Sequence, residues 1–187
     1  MKKIRWVVLA STLLCSLPTW AGSGNFTVGA GAVGNLFMVD TRPEMDPGVG
    51  GFAYLDYRWS PQLSTTFSVI VTTENGTGPD KGDDSIQFLG IPTFDIKYYF
   101  ISHTSRWDPY VHTGVGFYTI TEGSKNNGTL AMGIGANLGT GVDYYLNDTW
   151  SLGLDATYRS IGLLDSFGGP GTAVFPLSLS GQVGYHF

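Results

Sequence analysis

Leu130-Ala131-Met132-Gly133-Ile134-Gly135-Ala136-Asn137-Leu138-Gly139-Thr140-Gly141-Val142-Asp143-Tyr144-Tyr145-Leu146 sorts its side chains by parity. The even positions carry Leu130, Met132, Ile134, Ala136, Leu138, Thr140, Val142, Tyr144 and Leu146. The odd positions carry Ala131, Gly133, Gly135, Asn137, Gly139, Gly141, Asp143 and Tyr145. A helix would scatter both sets around its circumference, whereas a strand places them on opposite faces. The stretch therefore reads as a long β-strand with one greasy face and one small or polar face.

The same alternation recurs near residues 25–33, 49–59, 63–72, 85–100, 107–120, 149–160 and 172–187, which makes eight strands with 129–146. Each has at least about the 9–11 residues of a tilted strand that crosses a bilayer. Ser60-Pro61-Gln62 and Asn147-Asp148-Thr149 read as tight turns, and Ile101–Arg106 as a slightly longer one. The remaining connections, such as Thr73–Asp84, are longer and rich in Gly, Asp, Asn and Pro. Short turns at one end and long loops at the other predict an all-β fold: an eight-stranded antiparallel up-and-down transmembrane β-barrel.

Composition agrees. The chain has 187 residues, 14% of them aromatic and only 13% charged, which excludes a disordered chain. Its formal charge of −5 comes without a basic stripe, so nucleic acid is not an expected partner. Lys2, Lys3 and Arg5 precede the apolar run Trp6–Leu17, and Thr19-Trp20-Ala21 supplies a cleavage site. Residues 1–21 thus read as a secretory signal peptide and 22–187 as the mature barrel domain. The one cysteine, Cys15, falls inside the signal, so no disulfide is expected in the mature chain.

A lipocalin-like soluble barrel would alternate in the same way, so three further features bear on the greasy face. Asp56, Arg58, Asp95, Lys97, Asp143, Asp155 and Arg159 all lie on the opposite parity, as lipid requires. Aromatics crowd the apolar parity towards the short turns: Phe26, Tyr57, Trp59, Tyr98, Phe100, Trp107, Tyr144, Trp150, Tyr185 and Phe187. Amphipathic rings suit a membrane interface. Finally, the chain stops inside an alternating strand, with Tyr185 and Phe187 in the pattern by which outer-membrane barrels are recognised by their assembly machinery. Together these place the mature chain in a Gram-negative outer membrane after Sec export, with lipid and lipopolysaccharide around it and no partner subunit expected.

Eight strands enclose a lumen that side chains can largely fill. The four acids Asp56, Asp95, Asp143 and Asp155 and the three bases Arg58, Lys97 and Arg159 predict internal ion pairs rather than a charged pore. Nearer the long loops the inward parity reads Phe52, Ile70, Leu89, Ile91, Tyr118, Ile120, Val174 and Pro176. With Tyr54 beside them, Phe52, Ile70, Leu89, Ile91 and Tyr118 are candidate walls of an apolar vestibule for a small hydrophobic solute. Ordinary packing beneath the loops is the competing account of the same residues.

Ile91-Pro92-Thr93-Phe94-Asp95-Ile96-Lys97-Tyr98-Tyr99-Phe100, then Asp108-Pro109-Tyr110-Val111 and Gly114-Val115-Gly116-Phe117-Tyr118, resemble the OmpW family. Gly141-Val142-Asp143-Tyr144-Tyr145 and Gly184-Tyr185-His186-Phe187 fit as well, while His112 stands where the family usually has glycine. The resemblance implies an eight-stranded outer-membrane barrel associated with passage of small hydrophobic compounds. The alternative is a closed structural or adhesion barrel of the OmpA/OmpX kind, acting through its extracellular loops.

No catalytic constellation, metal-ligand spacing or cofactor motif is expected. His103, His112 and His186 have no ligand spacing, and no cysteine can assist them. His112 reads as a hydrogen-bonded lumen residue, and Asp80, Asp83 and Asp84 as an acidic, solvated loop.

Overall fold

The structure is a computed structural model that describes residues 25–38, 44–77, 85–100, 106–122, 129–164 and 173–187. The signal segment, His103 and the acidic loop residues lie outside them.

The strands are β1 (Phe26–Phe37), β2 (Glu44–Met45), β3 (Gly48–Ser60), β4 (Leu63–Thr77), β5 (Ser85–Tyr99), β6 (Trp107–Glu122), β7 (Thr129–Tyr145), β8 (Trp150–Leu163), β9 (Ala173–Val174) and β10 (Pro176–His186). Consecutive long strands pair antiparallel from β3 to β8, β1 pairs with both β3 and β10, and β10 also pairs with β8. The eight long strands therefore close on themselves, while β2 and β9 are two-residue additions at the long-loop end. Closure gives each strand two neighbours, so no sheet edge is left to hydrocarbon.

The sheet curls with its polar parity inside. Asp56, Asp95, Lys97, Asp143 and Arg159 are buried, whereas Leu55, Phe67, Ile96, Val111, Val115, Phe117, Met132, Ile134, Leu138, Leu154 and Leu179 are exposed. A water-soluble barrel has the reverse arrangement, because apolar area removed from water stabilises a fold by roughly 25 cal/mol per Å². An exterior of this composition is stable only against acyl chains. At its short-turn end it carries a girdle of touching rings. Trp150–Tyr185, Tyr185–Phe187, Phe187–Phe26, Phe26–Tyr57 and Tyr57–Trp59 run with centroid separations of 5.0, 5.8, 6.5, 4.7 and 4.6 Å. Trp107–Tyr144 and Tyr98–Phe100 continue it on the far side.

Besides a register shift at the turn end of β3, between Arg58 and Ser60, β5 departs from strict alternation in its interior. Ser68 pairs with Thr93 and Ile70 with Gly90, while Thr93 pairs with Gly116 and Gly90 with Tyr118. Between the same two rungs β5 thus holds one residue more than either neighbour, a bulge at Ile91-Pro92. An extra residue reverses parity beyond it. Phe88 and Gly90 consequently point inward with Thr93, Asp95, Lys97 and Tyr99. Leu89 and Ile91 belong to the outer face, Ile91 being 48% exposed, and are removed from the vestibule wall. Phe88, fully buried, takes their place.

Candidate functional site

The lumen is filled in layers, and inward glycines make room for the rings. A Cβ at Gly184 would come within 2.8 Å of the Tyr54 hydroxyl, and one at Gly116 within 2.7 Å of the Tyr118 hydroxyl. Gly29 and Gly184 are thus small partners of Tyr54, Gly116 and Gly135 of Tyr118, and Gly141 of Tyr110.

Nearest the short turns, Arg58 donates to Asp108 Oδ2 at 2.7 Å, to the Tyr145 hydroxyl at 2.8 Å and to the Pro61 carbonyl at 2.6 Å. Its guanidinium carbon also lies 3.9 Å from the Tyr99 ring centroid. Asp143 accepts hydrogen bonds from Tyr99 and Gln182 at 3.2 and 3.1 Å.

At mid-height Lys97 Nζ stands 3.8 Å from Asp56 Oδ1 and over the rings of Tyr110 and Tyr54. Asp56 accepts further from Ser64 and Thr66. His112 lies between two carboxylates, with Nδ1 3.5 Å from Asp95 and Nε2 3.1 Å from Asp155. Thr157 Oγ1 is 3.3 Å from the same Nε2 but donates to Asp155 Oδ1 at 2.5 Å.

One layer outward, Asn137 Nδ2 donates to Asp95 while its Oδ1 accepts from the Tyr118 hydroxyl. Arg159 donates to Ser178, which donates to Asn35, and Asn35 reaches Thr72 and Glu74 at 2.9 and 3.2 Å. Thr72 and Glu74 share the loop-side level with a buried apolar cluster of Phe88, Tyr118, Ile120, Ala131, Ile161, Leu163 and Val174, Thr72 pairing with Phe88 in the ladder. Phe88 and Tyr118 stack in that cluster at 5.4 Å.

The seven charged residues expected in an ion-pair network all point inward, but their partners differ from that expectation. Arg58 pairs with Asp108, which the sequence reading left out. Asp95 and Asp155 share His112. Asp143 is held by uncharged donors, and among the described residues Arg159 has no carboxylate within 4.0 Å. Asp108 lies on β6 in the inward parity of His112, so its direction was readable; its partner, fifty residues away on β3, was not.

Of the proposed vestibule residues, Phe52, Tyr54 and Ile70 line a cavity with Val33, against Lys97, His112 and Arg159 on the far wall. Tyr118 belongs to the packed apolar cluster instead. The cavity measures about 60 Å³, room for only a few water molecules. Pro92 was the overlooked signal for Phe88, because within a sheet proline is found at edges or bulges. Tyr185 and Phe187 are exposed on the outer face of the closing strand end.

A family profile described as "Outer membrane protein beta-barrel domain" matches residues 7–187. Outer membrane protein W of Vibrio cholerae is 34% identical over 109 residues, covering 52% of this chain and 49% of that one. Outer membrane protein W of Salmonella typhi is 28% identical over 187 residues, covering 86% and 85%. Among solved structures, neisserial surface protein A superposes with a TM-score of 0.64 at 21% identity, over 89% of this chain and 99% of that one. That last likeness is one of fold. The sequence relatives agree with the resemblance carried by Ile91–Phe100 and Asp108–Tyr118.

Proposed function

This chain belongs to the outer membrane protein β-barrel family, with Outer membrane protein W among its relatives, and from that premise we propose that it admits small hydrophobic molecules into the loop-side half of its lumen. The carrying observation is the apolar patch of Val33, Phe52, Tyr54 and Ile70 on one side of a cavity whose remaining lining is polar and charged. Passage straight down the axis is disfavoured. An apolar molecule would have to part Lys97, His112 and Asp155 from their neighbours, leaving charges buried without partners.

The wall offers another exit. At the bulge Ile91 and Pro92 have no register partner on β4 or β6, Val69 and Phe117 have none on β5, and Pro92 has no N–H to donate. Ser68 and Ile70, which line the cavity, flank this break in the pairing, and Ser68 is hydrogen-bonded to Thr93 beside it. Tyr118 covers it from within: a Cβ at Gly90 would meet the Tyr118 ring at 3.1 Å. Displacement of that ring joins the cavity to the acyl phase, so a solute leaves sideways into the membrane.

Binding rather than catalysis is the reading of His112. The neighbouring hydroxyl, Thr157, donates its hydrogen bond to Asp155 rather than to the imidazole, so His112 does not activate it as a nucleophile. Tyr185 and Phe187 serve as the contact for the barrel-assembly machinery. Lipid and lipopolysaccharide are the remaining partners.

Uptake of a neutral naphthylamine dye by cells making the protein is the test. Ile70→Asp is expected to abolish the protein-dependent uptake while the barrel keeps its heat-modifiable mobility. Equal uptake with and without the protein refutes the reading. The small size of the cavity favours a second one, a closed barrel acting through its loops. That reading predicts no uptake, and a surface ligand whose binding disappears when residues 73–84 are shortened.

A further inference from the structure

Among the described residues, Arg159 is the buried lumen cation with no carboxylate within 4.0 Å; the nearest link to one is indirect, through Ser178 and Asn35 to Glu74. Arg58 has Asp108 at 2.7 Å, Lys97 has Asp56 at 3.8 Å, and His112 lies between Asp95 and Asp155. Arg159 is as buried as these, at 5% exposure, and borders the cavity. Among the described residues its contacts are uncharged: it donates to Ser178 and faces the Tyr118 hydroxyl. Its Nε is buried with no hydrogen-bond partner. A guanidinium has five donors in a planar fork and stays ionised. Burying one without a counter-charge is costly, and the fork matches a carboxylate edge-on.

Arg159 also occupies a boundary. Along β8 the inward side chains run Asp155, Thr157, Arg159, Ile161, Leu163, from the charged layer to the apolar one. Phe52 and Ile70 line the cavity that Arg159 borders, and Phe52 stacks on Tyr54 at 6.0 Å. A ligand seated there meets Arg159 and the side chains of Phe52 and Ile70 in one cavity, whose two carboxylates, Asp95 and Asp155, are both engaged by His112.

We infer that Arg159 is the anchor of a binding site for small apolar carboxylates, with the carboxylate on the guanidinium and the apolar body against Phe52 and Ile70. The inference rests on the admission of hydrophobic molecules proposed above and narrows their class. A neutral hydrocarbon leaves Arg159 unanswered, whereas a carboxylate supplies the missing charge and accepts from Nε. The cavity as it stands accommodates a carboxylate group in place of its few waters. The apolar body then displaces the Phe52 ring or extends towards the loops.

The test uses the barrel in lipid nanodiscs, with radiolabelled phenylacetate, phenylacetamide and acetate in equilibrium dialysis and empty nanodiscs subtracted. Phenylacetate is expected to bind at least about tenfold more tightly than either of the others, the scale of a charge-assisted pair. In Arg159→Gln, checked for folding by heat-modifiable mobility, phenylacetate is expected to fall to the level of the amide while the amide stays unchanged. Arg159→Lys, which keeps the charge but not the fork, is expected to retain part of the preference. A preference for phenylacetate that persists in folded Arg159→Gln overturns the inference, as does acetate binding as tightly as phenylacetate. Equal binding of phenylacetate and its amide by the wild type, both weakened by Ile70→Asp, overturns it and leaves admission of hydrophobic molecules standing. If the wild type binds neither aromatic probe, both fall together.

Discussion

Leu138→Arg tests the claim on which the membrane assignment stands, that the exposed apolar face touches acyl chains. Leu138 lies near the middle of β7, is 64% exposed, and pairs with Thr113 and Tyr158 on the neighbouring strands. Tyr144, in the ring girdle, is six residues further along the same face. At about 3.4 Å per residue and a tilt of about 40°, that is roughly 15 Å along the membrane normal. The apolar band of such barrels is about 25 Å tall, so a girdle about 12 Å from the midplane puts Leu138 close to the centre. Arginine there costs about 2–4 kcal/mol, falling to about 0–1 kcal/mol at the interface. Leu146, just beyond the girdle and 49% exposed, is the matched control. Urea unfolding in phospholipid vesicles, followed by the fluorescence of Trp59, Trp107 and Trp150, reads the difference. Leu138→Arg is expected to lower the unfolding free energy by about 2–4 kcal/mol and Leu146→Arg by about 1 kcal/mol or less, with unchanged m-values. A surface site in water would absorb either change within about 0.5 kcal/mol. Equal, small effects at the two positions would refute the reasoning.

Three other outcomes are expected. Arg58→Ala breaks the 2.7 Å pair with the buried Asp108 and removes the contacts to Tyr145 and Tyr99; the same unfolding assay should show a loss of about 3–5 kcal/mol. Gly116→Val sets a side chain against Tyr118 and Thr93, where a Cβ already comes within 2.9 Å of Thr93 Cγ2. Overpacking costs about 1–3 kcal/mol, and the displaced ring is expected to raise dye uptake; a stable variant with wild-type uptake would rule Tyr118 out as the inner cover. Tyr185→Ser with Phe187→Ser is expected to cut the amount of folded barrel in cells severalfold while purified protein still refolds in detergent. Equal losses in both settings would mean that the rings serve stability alone.

Much of this molecule was legible in its sequence because a strand's two faces are a local property with a period of two. The alternation in 130–146, the charges confined to one parity and the rings near the short turns needed no knowledge of the rest of the chain. Leu89 and Ile91 mark where that logic ends. A single inserted residue at Ile91-Pro92 exchanges the faces of everything beyond it, and only the pairing with β4 and β6 reveals the insertion. Alternation by itself is identical for a barrel with its grease inside or outside, and it was the rings near the short turns and the closing Tyr185 and Phe187 that spoke for grease outside. The closed ladder settled the direction of curl by burying Asp56, Asp95, Lys97 and Arg159. Partnerships across the lumen depend on how far each strand is staggered against residues distant in sequence. Arg58 with Asp108, His112 with two carboxylates and, among the described residues, Arg159 with none within 4.0 Å were therefore decided by the tertiary structure, because stagger accumulates around the whole circumference and no local pattern encodes it.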